Sequence, residues 1–87
     1  MIMYKEIYDK AQQGLRLIED SIIELLSYNI EGLTNAEIVE YLGLQSEHQG
    51  RQKNYLTYSV LGNLMKDNKV IKYKKGNRVL YKLINTR

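Results

Sequence analysis

Apolar residues recur at helical spacing through the first third of the chain, and this pattern limits the fold of the 87 residues more than any other feature. The seam residues are separated alternately by four and three positions, and they are Tyr4, Tyr8, Ala11, Leu15, Ile18, Ile22 and Leu25. Such an a/d repeat predicts one helix, over about residues 3–28, that packs along a single seam. This helix would be roughly 39 Å long, which is more than the core of so short a chain needs.

The length of this helix has two interpretations. One is a single long core helix with a frayed first turn. The other, which we favour, is that residues 1–15 extend from a domain at residues 16–87 and pair with a second copy or with another protein. The predicted pairing residues are Tyr4, Tyr8, Ala11, Leu15 and Ile18. Gly14 weakens a helix by about 1 kcal/mol relative to alanine, so the sequence leaves a break or kink open there.

The second helix has clear signals for its start and its end. Thr34 is a good N-cap, and Glu37 three residues later can close a capping box. Gly43 suits the position after the helix because glycine readily adopts positive φ. The predicted helix therefore covers residues 35–42.

The rest of the chain predicts a third helix and a hairpin. The helix is expected over residues 51–67, with an apolar side that consists of Leu56, Val60, Leu61 and Leu64. Strands are expected at residues 70–73 and 78–84, joined by a turn at residues 74–77. The predicted class is therefore α+β.

Tyrosines and strand alternation predict further buried positions. The chain has no Phe or Trp, so tyrosine must supply the large apolar groups, and we assign Tyr41, Tyr73 and Tyr81 to the core or its edge. Alternation in the second strand places Leu80 on the side opposite Tyr81, together with basic residues.

Charge is divided between the two halves of the chain. Residues 1–50 carry three basic residues against nine acidic ones, whereas residues 51–87 carry ten against one. The overall charge of +3 therefore conceals a strongly basic C-terminal half, and such asymmetry points to a polyanionic partner. A solvated lysine-rich face is the alternative, although the same half also carries the third helix and the hairpin.

A capped short helix, a turn, a basic helix and a basic hairpin follow one another through residues 32–44, 58–64 and 70–81. In this order and spacing they resemble the winged helix-turn-helix family over about residues 16–84. Residues 44–58 are also similar to winged-helix modules found beside or within bacterial restriction endonucleases. The implied fold has three helices, the first of them long, and a C-terminal two-stranded β-hairpin wing. The long connector before the third helix and the N-terminal extension depart from the compact family pattern.

The resemblance implies that the third helix enters the major groove of double-stranded DNA and that the wing contacts the backbone or the minor groove. Basic side chains can neutralise phosphates, Gln and Asn can pair with adenine, and Tyr and Ser can bond to phosphates or base edges. The predicted DNA-binding residues are Arg51, Gln52, Lys53, Asn54, Tyr55, Tyr58, Ser59 and Lys66 in the helix, with Lys74, Lys75, Asn77 and Arg78 in the wing. About six phosphate contacts would give a log–log salt slope near −5.

The composition argues against an enzyme and against a metal or cofactor site. His48 is the only histidine and cysteine is absent, so metal sites and acid–base dyads built on these residues lack ligands. The longest apolar runs fall far short of the roughly 18 residues of a membrane span. The absence of cysteine also suits a reducing compartment such as the cytoplasm.

Two functions remain open from the sequence, and RNA binding ranks third because the sequence has no RNP-like strand and no Gly-x-x-Gly loop. The first is double-stranded DNA binding by a homodimeric small transcriptional regulator, or by the DNA-binding part of a restriction-type system. The second is a protein–protein interaction module that uses the winged helix or the N-terminal heptad helix. The first requires the cations of the third helix and the wing to share one surface, and the second predicts an exposed apolar patch along the first helix.

Overall fold

The computed structural model of the chain describes residues 2–45 and 55–84. Three helices precede two strands, and the elements are α1 (Ile2–Ser27), α2 (Asn35–Leu42), α3 (Tyr55–Lys66), β1 (Val70–Lys75) and β2 (Arg78–Leu83). The strands form an antiparallel hairpin, and all three helices contact one another and the hairpin. The predicted α+β class is confirmed.

The first helix is longer than the rest of the molecule requires. It runs without a break through Gly14, and its second half supplies the fully buried Ile22 and Leu26. The radius of gyration is 14.4 Å, against about 12 Å for a compact chain of this length. Residues 4–11 are exposed, so the first half of α1 extends beyond the core.

The capping box predicted at the start of α2 is confirmed. The Glu37 N–H donates to the Thr34 hydroxyl at 3.1 Å, and the Thr34 N–H donates to the Glu37 carboxylate at 2.9 Å. At the other end Gly43 has φ 67°, and its N–H donates to the Val39 carbonyl. These two caps give α2 the predicted bounds.

The third helix begins at Tyr55 within the described residues, and its predicted start at Arg51 lies outside them. Its buried side consists of Thr57, Val60, Leu61 and Leu64. The assignment of Leu56 to this side is wrong, because Leu56 lies on the order of 80° around the helix from Leu64 and is exposed.

The hairpin ladder is longer than predicted. Its pairs run from Val70 with Leu83 to Lys75 with Arg78, so the strands enclose a turn of only two residues. The predicted turn at residues 74–77 is therefore wrong at its first two positions. Gly76 has φ 65°, and glycine at the first central position of a two-residue turn matches the twist of the strands.

The hairpin is attached to the segment that precedes α2. Leu33 and Tyr81 exchange two backbone hydrogen bonds, of 3.0 and 2.8 Å, and both side chains are buried. Gly32 has φ 97°, and a Cβ atom on it would lie 2.7 Å from the Tyr81 carbonyl oxygen. Only glycine fits this close approach, which positions the hairpin against the helices.

Two of the three tyrosines assigned to the core or its edge lie there. Tyr81 is buried and Tyr73 is half-buried, as predicted, whereas Tyr41 is 67% exposed, so its assignment is wrong. Tyr41 lies about 100° around α2 from the partly buried Leu42, outside the packed stripe.

Leu80 lies on the predicted side of the strand, opposite Tyr81 and together with Arg78 and Lys82, but it is buried there. Leu80 pairs with Tyr73, whose hydroxyl donates to the Glu31 carbonyl. Since Glu31 lies beyond the far edge of β2, the Tyr73 side chain must cross β2 to reach it and thereby covers Leu80. The alternation of residues along a strand cannot predict that a side chain from the neighbouring strand covers one of them.

Candidate nucleic-acid interface

The solvent face of α3 carries the predicted helix residues that the structure describes. Tyr55, Tyr58, Ser59 and Lys66 are all exposed, while the opposite side of the helix packs into the core. The other four predicted helix residues, Arg51, Gln52, Lys53 and Asn54, lie outside the described residues. Asn63 is exposed on the same face as Ser59, four residues on, and the sequence analysis missed it.

The hairpin presents two lysines on the same face as the buried Val70 and Tyr81. Lys72 pairs with Tyr81, and Lys74 pairs with Val79. Paired residues point to the same face of a sheet, so both lysines share the face on which Tyr81 packs into the core. Lys72 was not among the predicted site residues, although counting by twos from the buried Val70 would have found it.

A groove separates α3 from the hairpin and brings several of these residues together. Its volume is about 550 Å³, and it is lined by Thr34, Asn35, Ala36, Tyr58, Lys72, Asn77, Arg78, Val79 and Tyr81. Three of the predicted DNA-binding residues, Tyr58, Asn77 and Arg78, therefore share one concave surface with Lys72. Burial raises the pKa of the Tyr81 hydroxyl at this groove, and the nearby Tyr58 adds to the shift.

The first turn of α2 forms one wall of the groove. Asn35 is only 8% exposed, and its side-chain oxygen has no hydrogen-bond partner among the described residues. The start of a helix carries free N–H groups and the positive end of the helix dipole. The capping box already uses the Thr34 and Glu37 N–H groups, so the donors that this wall can offer an anion are the backbone N–H groups of Asn35 and Ala36, next to the cations of the hairpin.

Arg78 is held at the rim of the groove by Glu37. Its guanidinium donates to the Glu37 carboxylate at 2.9 Å. The hydrogen bond from the Thr34 N–H lowers the pKa of Glu37, partial burial opposes this shift, and the positive charge of Arg78 lowers the pKa further. Glu37 is thus ionised at neutral pH, and Arg78 already has an anionic partner in the free chain.

The structure does not bring Lys75 into the groove. Lys75 lies 3.6 Å from the Glu31 carboxylate, on the hairpin face that also carries Tyr73 and Lys82. On this face the Lys82 ammonium lies over the Tyr73 ring, 5.0 Å from its centre. The cations predicted for the hairpin tip are therefore divided, with Lys74 on the groove side and Lys75 on the other. Arg78 pairs with Lys75 in the ladder, but its guanidinium reaches the rim of the groove, where it contacts Glu37.

Charge is also segregated in the described part of the chain. Residues 55–84 contain seven basic residues and one acidic residue, whereas residues 17–45 contain six acidic residues and no basic one. The groove lies where these two sets meet, because its α2 wall comes from the acidic stretch. The basic part of the surface comprises α3 and the hairpin.

The predicted pairing residues of α1 fall into two groups. Tyr4, Tyr8 and Ala11 are exposed, whereas Leu15 and Ile18 are partly buried and pack against the core of the same chain. Only the first three are fully available to another molecule.

Comparison with protein-family models, with curated proteins and with solved structures finds no match for this chain. The likeness to winged helices consequently depends on the residues and the order of the elements described above. Among the described residues, none of the helices combines the length and the apolar character required to cross a bilayer.

Proposed function

We propose that this chain is a winged helix-turn-helix protein that binds double-stranded DNA with α3 in the major groove and the hairpin as a wing on the backbone or in the minor groove. The observation that carries the proposal is the shared groove of Tyr58, Lys72 and Arg78, which joins the exposed face of α3 to the cationic face of the hairpin. On this proposal the chain is a small transcriptional regulator, or the DNA-binding part of a restriction-type system.

The dimensions of α3 support this proposal. Twelve residues make a helix about 18 Å long, and the major groove, about 12 Å wide, admits one helix. The solvent face carries hydroxyl and amide groups with one terminal lysine, and it has no carboxylate between Tyr55 and Lys66. Ser59 and Asn63 can reach base edges from the centre of this face, while Lys66 contacts a phosphate.

The hairpin and the start of α2 support the proposed DNA binding because both can bind phosphate groups of the DNA backbone. Lys72 and Lys74 extend the cationic surface away from α3, and the α2 wall presents backbone N–H groups beside them. A helix start of this kind binds phosphate oxygens well, so one DNA strand is expected to follow the groove. Arg78 would join the interface by exchanging Glu37 for a phosphate.

The proposal is tested by titrating a labelled mixed-sequence duplex of about 20 base pairs at 50 and 200 mM salt, with fluorescence anisotropy as the readout. Four to six phosphate contacts give an expected log–log slope of about −4 to −5 for duplex DNA. A single strand of the same length serves as the control and should give a smaller slope. Duplex binding with no salt dependence, or no binding at the lower salt concentration, would contradict the proposal.

A second candidate function is a protein-interaction module, and a different surface favours it. An apolar groove of about 650 Å³ lies between the end of α1 and the open end of the hairpin, lined by Leu26, Ser27, Ile30, Ile71, Lys82, Leu83 and Ile84. Ile30 is 80% exposed and Ile71 41%, so the groove continues into an exposed apolar patch of the kind that marks interaction sites. The duplex titration separates the two functions, since this groove carries only one cation.

A further inference from the structure

The first half of α1 carries an apolar stripe that the described part of the chain leaves uncovered. Tyr4 is 70% exposed, Ile7 54% and Tyr8 63%, and Ala11 and Gly14 are exposed as well. Their spacing places all five on one side of the helix. We call these five residues the arm stripe.

Gly14 has no role in the packing of its own chain. A Cβ atom on it would meet no other atom within 4 Å, and its φ is not in the left-handed region. Glycine is the poorest helix former after proline, and here neither backbone geometry nor packing within the chain requires it. The missing side chain leaves a gap on the arm stripe, next to the small Ala11.

We propose that the arm stripe pairs with the arm stripe of a second copy of this chain, with the two helices antiparallel. In this arrangement the bulky end of each stripe lies against the small end of the other. Tyr8 packs on Ala11 of the second copy, Ile7 fills the gap at its Gly14, and Tyr4 reaches its Leu15. In the heptad repeat Tyr4 is at d, Ile7 at g and Tyr8 at a. In an antiparallel helix pair an a residue contacts a d residue of the other helix, and a g residue contacts a g residue, as these contacts do.

A parallel pair would pack the same residues poorly. In a parallel pair Tyr4 and Tyr8 would each face their own counterpart, as would Ala11, and Gly14 at g would lie beside an e residue of the other helix instead of receiving Ile7. Since helix interfaces are packed as densely as protein interiors, the alternation of bulky and small residues selects the antiparallel arrangement. The domains that follow each arm then lie at opposite ends of the pair and do not collide.

The charge of the two arms and the area that they bury are consistent with a dimer of moderate affinity. Residues 4–16 hold three basic and two acidic residues, so two arms do not repel each other strongly. Four tyrosines and two isoleucines across both copies bury on the order of 800 Å², which is the size of weak, reversible interfaces rather than obligate ones. The dimer is therefore expected to dissociate on dilution.

Cross-linking of the DNA-free full chain tests the orientation. The chain has no cysteine, so Lys5→Cys and Gln12→Cys each introduce one thiol beside the stripe. Antiparallel arms place residue 5 of one copy near residue 12 of the other, so a mixture of the two variants should react with a short bis-maleimide much faster than either variant alone. Glu40→Cys, on the exposed side of α2, is the matched control for random collision.

Each outcome of the cross-linking experiment decides the proposal. Faster reaction of the mixture supports antiparallel pairing. Equal or faster reaction of the separate variants would overturn it in favour of a parallel pair. Rates no higher than the control, together with monomer sedimentation at high concentration, would overturn pairing altogether.

Gly14→Ala gives a second test in which stability and association change in opposite directions. At low concentration the melting temperature should rise, because alanine favours the helix and meets no atom of its own chain. Self-association measured by sedimentation should weaken at least about five-fold, because the methyl group occupies the space that Ile7 of the second copy fills. Gly62→Ala, also in a helix with open space around it, is the control and should leave association unchanged. Unchanged or stronger association of Gly14→Ala would contradict the proposed packing.

Discussion

The carboxylate of Glu37 joins the start of α2 to the tip of the hairpin, because it accepts hydrogen bonds from both Thr34 and Arg78. One carboxylate oxygen lies 2.9 Å from the Thr34 nitrogen, and the other lies 2.9 Å from the Arg78 guanidinium. The same residue therefore closes a helix cap and neutralises a cation at the candidate DNA interface. Several testable consequences depend on this double role.

Removing the charge of Glu37 should change how stability depends on pH. Its pKa lies below the ordinary value of 4.5, so its ionised form stabilises the fold above that pH, and this contribution is lost as the pH falls through the folded-state pKa. Urea unfolding of the wild type and of Glu37→Gln should therefore differ at pH 6 and converge towards pH 3. A difference that stays constant over this range would show that the ionisation of Glu37 is not coupled to folding.

The same substitution should strengthen DNA binding. Glutamine keeps the capping box but has no charge, so Arg78 becomes free to contact a phosphate. Exposed ion pairs are worth at most about 1 kcal/mol, so we expect a two- to five-fold gain in duplex affinity, measured by anisotropy at 100 mM salt.

Glu40→Gln is the matched control for this gain. It removes the same charge from the same helix, and Glu40 forms no ion pair within the described residues. The affinity of Glu40→Gln for the duplex should rise less than the affinity of Glu37→Gln. Equal gains from the two variants would mean that only the overall charge matters.

Much of the fold follows from local signals in the sequence. The caps at Thr34 and Gly43 predict α2 correctly, and the heptad seam predicts α1 to within one residue at each end. These predictions succeed because helix periodicity and capping depend on residues close together in the chain.

The failures arise where distant segments meet. The burial of Leu80 depends on the Tyr73 side chain crossing β2 towards Glu31, and the pairing of Arg78 with Glu37 joins residues 41 positions apart. The groove itself was not predictable, since it depends on how the hairpin is attached at Leu33. Lys72 was within reach of the alternation pattern, because it lies in the predicted strand two residues after the buried Val70.

Lys72 should contribute directly to DNA binding. Lys72→Gln removes a cation from the groove, so the affinity for any duplex should fall about three- to ten-fold and the salt slope should become shallower by about 0.9. Lys82→Gln makes the same charge change on the opposite face of the hairpin and should alter the affinity by less than about two-fold. Equal losses from both variants would argue against a defined interface in the groove.

Of the five glycines that the structure describes, Gly32 should be the least tolerant of substitution. Gly32→Ala combines a positive φ with a clash against the Tyr81 carbonyl, so we expect a loss of about 2–4 kcal/mol in the free energy of unfolding. Gly43→Ala shares the positive φ but has open space around it, and should cost only about 1 kcal/mol. Urea denaturation compares the two, and similar losses would mean that the close approach at Gly32 is easily relaxed.

The most direct test of DNA binding by the groove is an NMR titration of the labelled chain with a mixed-sequence duplex at low salt. We predict that the largest amide shift changes fall on residues 55–66, 72–74 and 77–79 and on the first turn of α2, with little change in residues 4–15. Changes confined to residues 4–15 or to the apolar groove around Ile30, or no changes at saturating duplex, would contradict this prediction.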